Sequence, residues 1–335
     1  LISFGLSNLL FPLLMVVTGF LSAQRPIEPE LPPLAEQAAE LFMVGLPGKT
    51  PAGNPDSPDW RHFVLFARNI GNDQELRRLT ASLSASANRP VWIAVDQEGG
   101  PVTRVPSDPT AKLGQEQIVS AEQAFQVAFQ RANHLRGLGI TMVLSPVVDR
   151  SGGRHAGLRE RAFAGNWGEL GAAMVSGYQA GGVTPAVKHF PSYGDLPGDV
   201  ERSIPHKNLS PEEIAIFRQA LAGAPVLMVS PIIIDNIDPA LPAPLSSKVV
   251  EFIRRELGFG GVLLTDDVEM RAVRRDYDPV EFAVSAVGAG MNLVMFSGSD
   301  KTVEGAYQAL VRQAEQDLKL RRQIEESYRL LQKIN

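Results

Sequence analysis

From residue 35 onward the chain alternates between two patterns. Short apolar runs bounded by Gly, Pro, Asp or Ser read as strands, and longer stretches with apolar positions every three or four residues read as helices. The apolar runs are "LFMVGLPG" near residue 42, "HFVLFARNI" near 62, "VWIAVDQEGG" near 91 and "ITMVLSPVVD" near 140. Four more follow: "VTPAVKHFP" near 183, "PVLMVSPIII" near 225, "GGVLLTDD" near 260 and "MNLVMFSGS" near 291. They are continuous rather than alternating, as strands covered on both faces should be.

Helical signals lie between most of these runs. "SAEQAFQVAFQRANHLRGLG" offers Ser120 as N-cap, Gln123 as its capping-box partner and Gly137 near the end. "SPEEIAIFRQALAGA" offers Ser210 as cap, Pro211 in the first turn and Glu213 three residues after the cap. "SSKVVEFIRRELGFGG" stops at Gly258, and a last helix is expected from about Val303 to Lys333. Eight strands separated by helices predict an α/β protein, a single-domain (β/α)8 TIM-like barrel over residues 35–335. A doubly wound open sheet is the competing architecture, because a strand count does not show closure.

The N-terminus follows a different pattern. Residues 1 to 24 carry no charge, and an apolar core from Leu9 to Leu21 is followed by small residues, Ser22 and Ala23. That predicts a secretory signal. A membrane anchor competes, since about 20 apolar residues span a bilayer. A Pro-rich linker, residues 25–34 with "RPIEPELPP", argues against a buried core helix. Either leading reading exports the folded part, to the periplasm, the cell envelope or the medium.

Composition narrows the chemistry. The chain has 335 residues, 44% hydrophobic and 21% charged, with a net charge of -5. These are the proportions of a soluble globular protein, without the basic face that nucleic acid requires. It has no cysteine, which excludes disulfides, thiolate nucleophiles and Cys-based metal sites. The five histidines, at 62, 134, 155, 189 and 206, lack close metal-ligand spacing, and no metal is expected. G-x-G-x-x-G is absent, so no dinucleotide is expected, nor any other cofactor.

In a barrel the chemistry sits at the C-terminal ends of the strands. The third strand ends in Asp96, the fourth in Asp149, the fifth in Lys188 and His189, and the seventh in Asp266 and Asp267. A carboxylate held directly after an apolar strand suits a nucleophile or a base, and one of the Asp266–Asp267 pair is expected to cap the next helix. Asp96 can present two oxygens to adjacent hydroxyls of a sugar. Arg104 can pair with it or add donors. Lys188 alone would suit a Schiff-base aldolase, but that needs a desolvated amine, and the acids around it argue for a polar pocket.

These residues carry a resemblance. The stretches "VDQEGG..VTR", "LSPVVD", "RERAFAG", "KHFP..GD", "LSSKVVEFIRRELGFGGVLLTDDVEM" and "EESYRLLQKI" resemble the single-domain bacterial β-N-acetylglucosaminidases of glycoside hydrolase family 3, in order and in spacing. The resemblance implies a retaining mechanism with a covalent glycosyl-enzyme intermediate. It implies Asp266 as the nucleophile, and Asp96, Arg104, Arg161, Lys188 and His189 as sugar-binding positions.

The chain departs from the family pattern in one loop. The family commonly reads Lys-His-Phe-Pro-Gly-His-Gly and then Asp-Ser-His, whose His is the acid/base. Here Ser192 and Tyr193 replace Gly-His, and Asp199, Val200 and Glu201 replace Asp-Ser-His. Pro231 stands where a strand-six His is usual, and Pro101 replaces an Arg after "GG". The reading that keeps an acid/base assigns it to Glu201, with Asp199 raising its pKa by like-charge repulsion. Asp195 and His206 are the substitutes. The expected substrate is a carbohydrate, with terminal β-linked N-acetylhexosamine released from glycans or cell-wall fragments. The competing readings are a glycan-binding relative with little or no catalysis, and a β-glucosidase.

Overall fold

The structure, a computed structural model, describes residues 31–49, 58–85, 91–150, 158–194, 196, 203–298 and 300–334. The N-terminal apolar segment, Asp195, Asp199 and Glu201 therefore lie outside the described residues. The linker ends in Pro33, which caps α1 (Leu34–Ala39). Then come β1 (Phe42–Gly45), β2 (His62–Leu65), α2 (Asp73–Ala85) and β3 (Trp92–Val95). A hairpin of β4 (Gln97–Gly99) and β5 (Val102–Thr103) precedes α3 (Ala121–Gly137), β6 (Met142–Val143), α4 (Trp167–Ala180) and β7 (Thr184–Phe190). The next elements are β8 (His206–Lys207), α5 (Pro211–Ala220), β9 (Val226–Val229), β10 (Ile233–Ile234), β11 (Asp238–Pro242) and α6 (Ser247–Arg255). The chain continues through β12 (Val262–Thr265), α7 (Arg271–Asp276), α8 (Pro279–Ala289), β13 (Val294–Phe296), α9 (Asp300–Ala314) and α10 (Leu318–Ile334).

All eight expected runs form strands of one parallel sheet, in the order β12-β9-β7-β6-β3-β2-β1-β13. The sheet closes. β1 pairs with β13 through Phe42 and Val294. Between the outermost two strands, Leu264 bridges Leu293 in parallel, and Thr265 N donates to Leu293 O at 2.9 Å. This excludes the open sheet. β1, β2, β3, β9, β12 and β13 are buried at every position, which is why their sequences show no alternation.

The caps account for where the helices begin. Ser210 accepts from Glu213 N while the Glu213 side chain accepts from Ser210 N, with Pro211 at the first helical position of α5. Ser120 likewise accepts from Gln123 N, but the Gln123 amide reaches Val119 N, so the expected reciprocal box is shifted by one residue. The single last helix is two helices. Asp317 accepts from Lys319 N and Leu320 N, and this cap starts α10 after a turn that stops α9.

Candidate active site

The strand ends enclose a cavity of about 340 Å³. All five expected sugar-binding residues, Asp96, Arg104, Arg161, Lys188 and His189, line it together with Asp266. Segments far apart in sequence thus meet in one place. The β4–β5 hairpin brings Arg104 to the rim. Its turn needs glycine: Gly99 has φ +87°, and a Cβ there would lie 2.1 Å from Leu113 O. Arg131 braces the hairpin from α3. Fully buried, it donates to Glu98 O at 2.7 Å and to Asp108 Oδ2 at 3.1 Å.

Of the two readings for Arg104, pairing with Asp96 is not the one seen: Asp96 pairs with Lys188 instead. Lys188 Nζ lies 2.7 Å from Asp96 Oδ1 and 2.6 Å from Glu98 Oε1. Glu98 also takes a forked pair of bonds from Arg161, at 2.7 Å to Oε2 and 2.9 Å to Oε1. Among the described residues, Arg104 Nε is buried without a hydrogen-bond partner. Burial alone would raise the Glu98 carboxyl, but the charges of Lys188 and Arg161 and their hydrogen bonds outweigh it and bring it down to about 2. Burial would likewise lower the Lys188 amine, but Asp96 and Glu98 hold it above its usual range. Lys188 is therefore a charged anchor, which removes the aldolase reading: a Schiff base needs a neutral amine.

Glu98 makes the site acid-sensitive. Its pKa lies below the ordinary 4.5, so its contribution is fully present above pH 4.5 and is lost as pH falls toward 2. The shift corresponds to about 3 kcal/mol of stability. Denaturant unfolding of the wild type should weaken over that window. Glu98→Gln should show a shallower decline, and equal slopes for the two proteins would contradict the assignment.

β7 supplies two neighbouring side chains to the cavity. The Lys188–His189 peptide is cis, the ladder to β9 shifts register between Val187 and Phe190, and both side chains face the pocket. Phe190 packs edge-on against Phe217 of α5, with ring centres 5.1 Å apart. Behind His189 sits Asp149, fully buried at the end of the fourth barrel strand. It accepts from His189 Nδ1 at 2.6 Å, His189 N at 3.1 Å and Tyr193 N at 2.6 Å. Burial would raise the Asp149 carboxyl; the His189 and backbone donors hold it below its usual range. The Nδ1 contact leaves His189 Nε2 for the cavity.

Asp266 follows β12 and is half-buried. Its Oδ2 accepts from Ser230 Oγ at 2.7 Å and Tyr193 Oη at 3.1 Å, and its Oδ1 accepts from Asp267 N at 2.9 Å. Asp267 serves the fold. Its Oδ1 takes Glu269 N and Ser297 N, both at 3.0 Å, and its Oδ2 takes the Ser297 hydroxyl. The two acids point apart, as their adjacency at a strand end suggests.

His206, the alternative acid/base, is not brought to the cavity. It is exposed on β8 and paired with Asp235 at 2.9 Å. Sequence reasoning missed Glu98 and left Tyr193 without a role. Glu98 stands in the quoted "VDQEGG", but only the distant Arg161 and Lys188 reveal why a buried acid is tolerated there.

A closed barrel whose C-terminal cavity gathers the half-buried Asp266 with fixed acids and cations has the build of an enzyme's active site. The comparisons make the class specific. The model of the glycosyl hydrolase family 3 N-terminal domain matches residues 61–334, and the chain belongs to that family. A β-hexosaminidase of Nitrosomonas eutropha is 34% identical over 253 residues, covering 69% of this chain and 72% of the relative. A β-hexosaminidase of Nitrosospira multiformis is 30% identical over 260 residues, covering 72% and 74%. Among solved structures, a family 3 β-N-acetylglucosaminidase from a Paenibacillus species superimposes with a TM-score of 0.83 at 30% identity. That match covers 90% of this chain but 62% of the larger enzyme. A β-N-acetylhexosaminidase from Beutenbergia cavernae has the same fold, with a TM-score of 0.82 at 24% identity over 91% of this chain and 98% of that one. The protein is a glycosidase.

Proposed function

We propose that the protein is an exported, retaining β-N-acetylhexosaminidase that releases terminal N-acetylhexosamine from glycans or cell-wall fragments. The observation that carries this is Asp266: a half-buried carboxylate, fixed by Ser230, Tyr193 and the Asp267 amide, in a cavity that gathers all five sugar-site positions. Asp266 attacks the anomeric carbon. Lys188, His189, Asp96, Arg104 and Arg161 hold the hydroxyls of the terminal sugar, and Glu201 with Asp199 nearby supplies the proton. The curated relatives named β-hexosaminidase support the substrate class.

The test is turnover of a panel of aryl β-glycosides, followed by trapping with a mechanism-based fluorosugar and peptide mapping. The N-acetylglucosaminide should be the best substrate, and the label should sit on Asp266. A label on Asp267, or on no carboxylate of this segment, sinks the nucleophile assignment; preference for the glucoside sinks the substrate. A glycan-binding relative without turnover is the second reading, and the changed residues at 192, 193 and 201 favour it.

A further inference from the structure

The turn after β7 is built to hold one hydroxyl. Ser192 adopts φ +91°, and its Oγ accepts from Arg150 N and Gly194 N, both at 3.2 Å. Tyr193 N is bonded to the buried Asp149. Gly194 lies so close to the Arg150 carbonyl that a Cβ would be 1.4 Å from its oxygen. The turn is thus tied at three successive residues to the segment following β6. Its central side chain, Tyr193, packs edge-on to His189 at 5.1 Å and ends on Asp266.

The two oxygens of Asp266 are not equivalent. Oδ2 receives two hydroxyl donors, and Oδ1 receives one backbone amide. Resting on the reading of Asp266 as nucleophile, we propose that Tyr193 is a positioning residue that, with Ser230, holds Oδ2 as the spectator oxygen, presents Oδ1 for attack, and favours the carboxylate as a leaving group in the second step.

The chemistry follows from where the charge goes. In the first step the bond from C1 to the leaving oxygen breaks, that oxygen takes the acid's proton, and C1–Oδ1 forms. The Asp266 charge is then gone, and the bond from Tyr193 to Oδ2 weakens. In the second step water bonds to C1, its proton passes to the base, and the C1–Oδ1 pair returns to the carboxylate. A donor at Oδ2 stabilises that departing charge. Burial first, and then the charge of Asp266, push the Tyr193 phenol well above its usual range, so it stays a neutral donor. The other charged groups around Tyr193 and Asp266, namely Asp96, Glu98, Arg104, Arg161, Lys188 and His189 in the cavity, Asp149 behind His189 and Asp267 beside Asp266, are chemically unchanged when only the hydroxyl is removed.

Tyr193→Phe keeps the ring and deletes the donor. With an activated aryl N-acetylglucosaminide, kcat should fall about 10- to 100-fold and KM should fall with it as the glycosyl-enzyme accumulates. A burst of the aryl alcohol should appear, and the acid limb of kcat/KM should move up in pH. A purely structural Tyr193 would move none of these. A variant with kcat within about twofold of wild type and an unmoved acid limb overturns the proposal.

A measurement independent of turnover separates this from the function itself. In protein with 13C-labelled aspartate carboxyls, the Asp266 resonance, assigned by its loss in Asp266→Asn, should titrate at higher pH in Tyr193→Phe. With 2,3-difluorotyrosine at 193, a stronger donor of the same shape, it should titrate lower. If the wild type turns over no glycoside, the proposed function falls while these opposed shifts still read the hydrogen bond. If neither replacement moves the midpoint, Tyr193 does not hold the carboxylate.

Discussion

Asp266→Ala should lower hydrolysis of a nitrophenyl N-acetylglucosaminide by about 10^4-fold or more, equivalent to roughly 5 kcal/mol or more of transition-state stabilisation. The change removes the atom that bonds to C1, so no rearrangement of neighbours can restore the pathway. It should leave the barrel intact, because Asp266 is half-buried and its partners are two hydroxyls and one amide. Azide entering the vacated space attacks from the face the carboxylate used. The product should be an α-glycosyl azide, detectable by proton NMR. Asp267→Asn is the matched control. Both its oxygens are committed to Ser297 and Glu269, so it should lose thermal stability before it loses chemistry. Retention of more than a tenth of wild-type turnover by Asp266→Ala, or α-azide formation by Asp267→Ala and not by Asp266→Ala, would exchange the two roles.

The barrel was legible because its signal is local. Strands buried on both faces are written as unbroken apolar runs, and four of the eight ended where charged residues began. That placed Asp96, Lys188, His189 and Asp266 at one rim before any contact was known. Partnerships were less legible, because they depend on segments far apart. Asp96 meets Lys188 across 92 residues and Glu98 meets Arg161 across 63, so nothing near Asp96 marks Lys188 rather than Arg104 as its counter-ion. Arg131 lies in an amphipathic helix where an Arg usually faces solvent, and only the carbonyls of the β4–β5 hairpin explain its burial. Tyr193 read as the loss of a family His. Its hydroxyl on Asp266 becomes visible once Ser192 and Gly194 are seen clamped to Arg150.

Glu201→Ala should separate substrates by their leaving groups. A natural disaccharide expels a sugar alkoxide, which needs a proton in the transition state. A nitrophenolate leaves without one. On the disaccharide the loss should be about 10^2- to 10^4-fold, the usual worth of general acid–base help, and on the aryl glycoside the first step should be nearly unchanged. Its second step then lacks a base, and the glycosyl-enzyme should accumulate. Azide needs no base, so it should intercept that intermediate and give a β-glycosyl azide, opposite in configuration to the product from Asp266→Ala. Leu196 is buried in one apolar cluster with Tyr193, Val147, Leu158 and Ile232. Should Glu201→Ala hydrolyse both substrates like wild type, Asp195 is the residue to change next, since His206 is held away by Asp235. Should the wild type turn over neither substrate yet bind N-acetylglucosamine oligomers, replacement of the family His by Glu201 has left a binding protein whose nucleophile has no acid to work with.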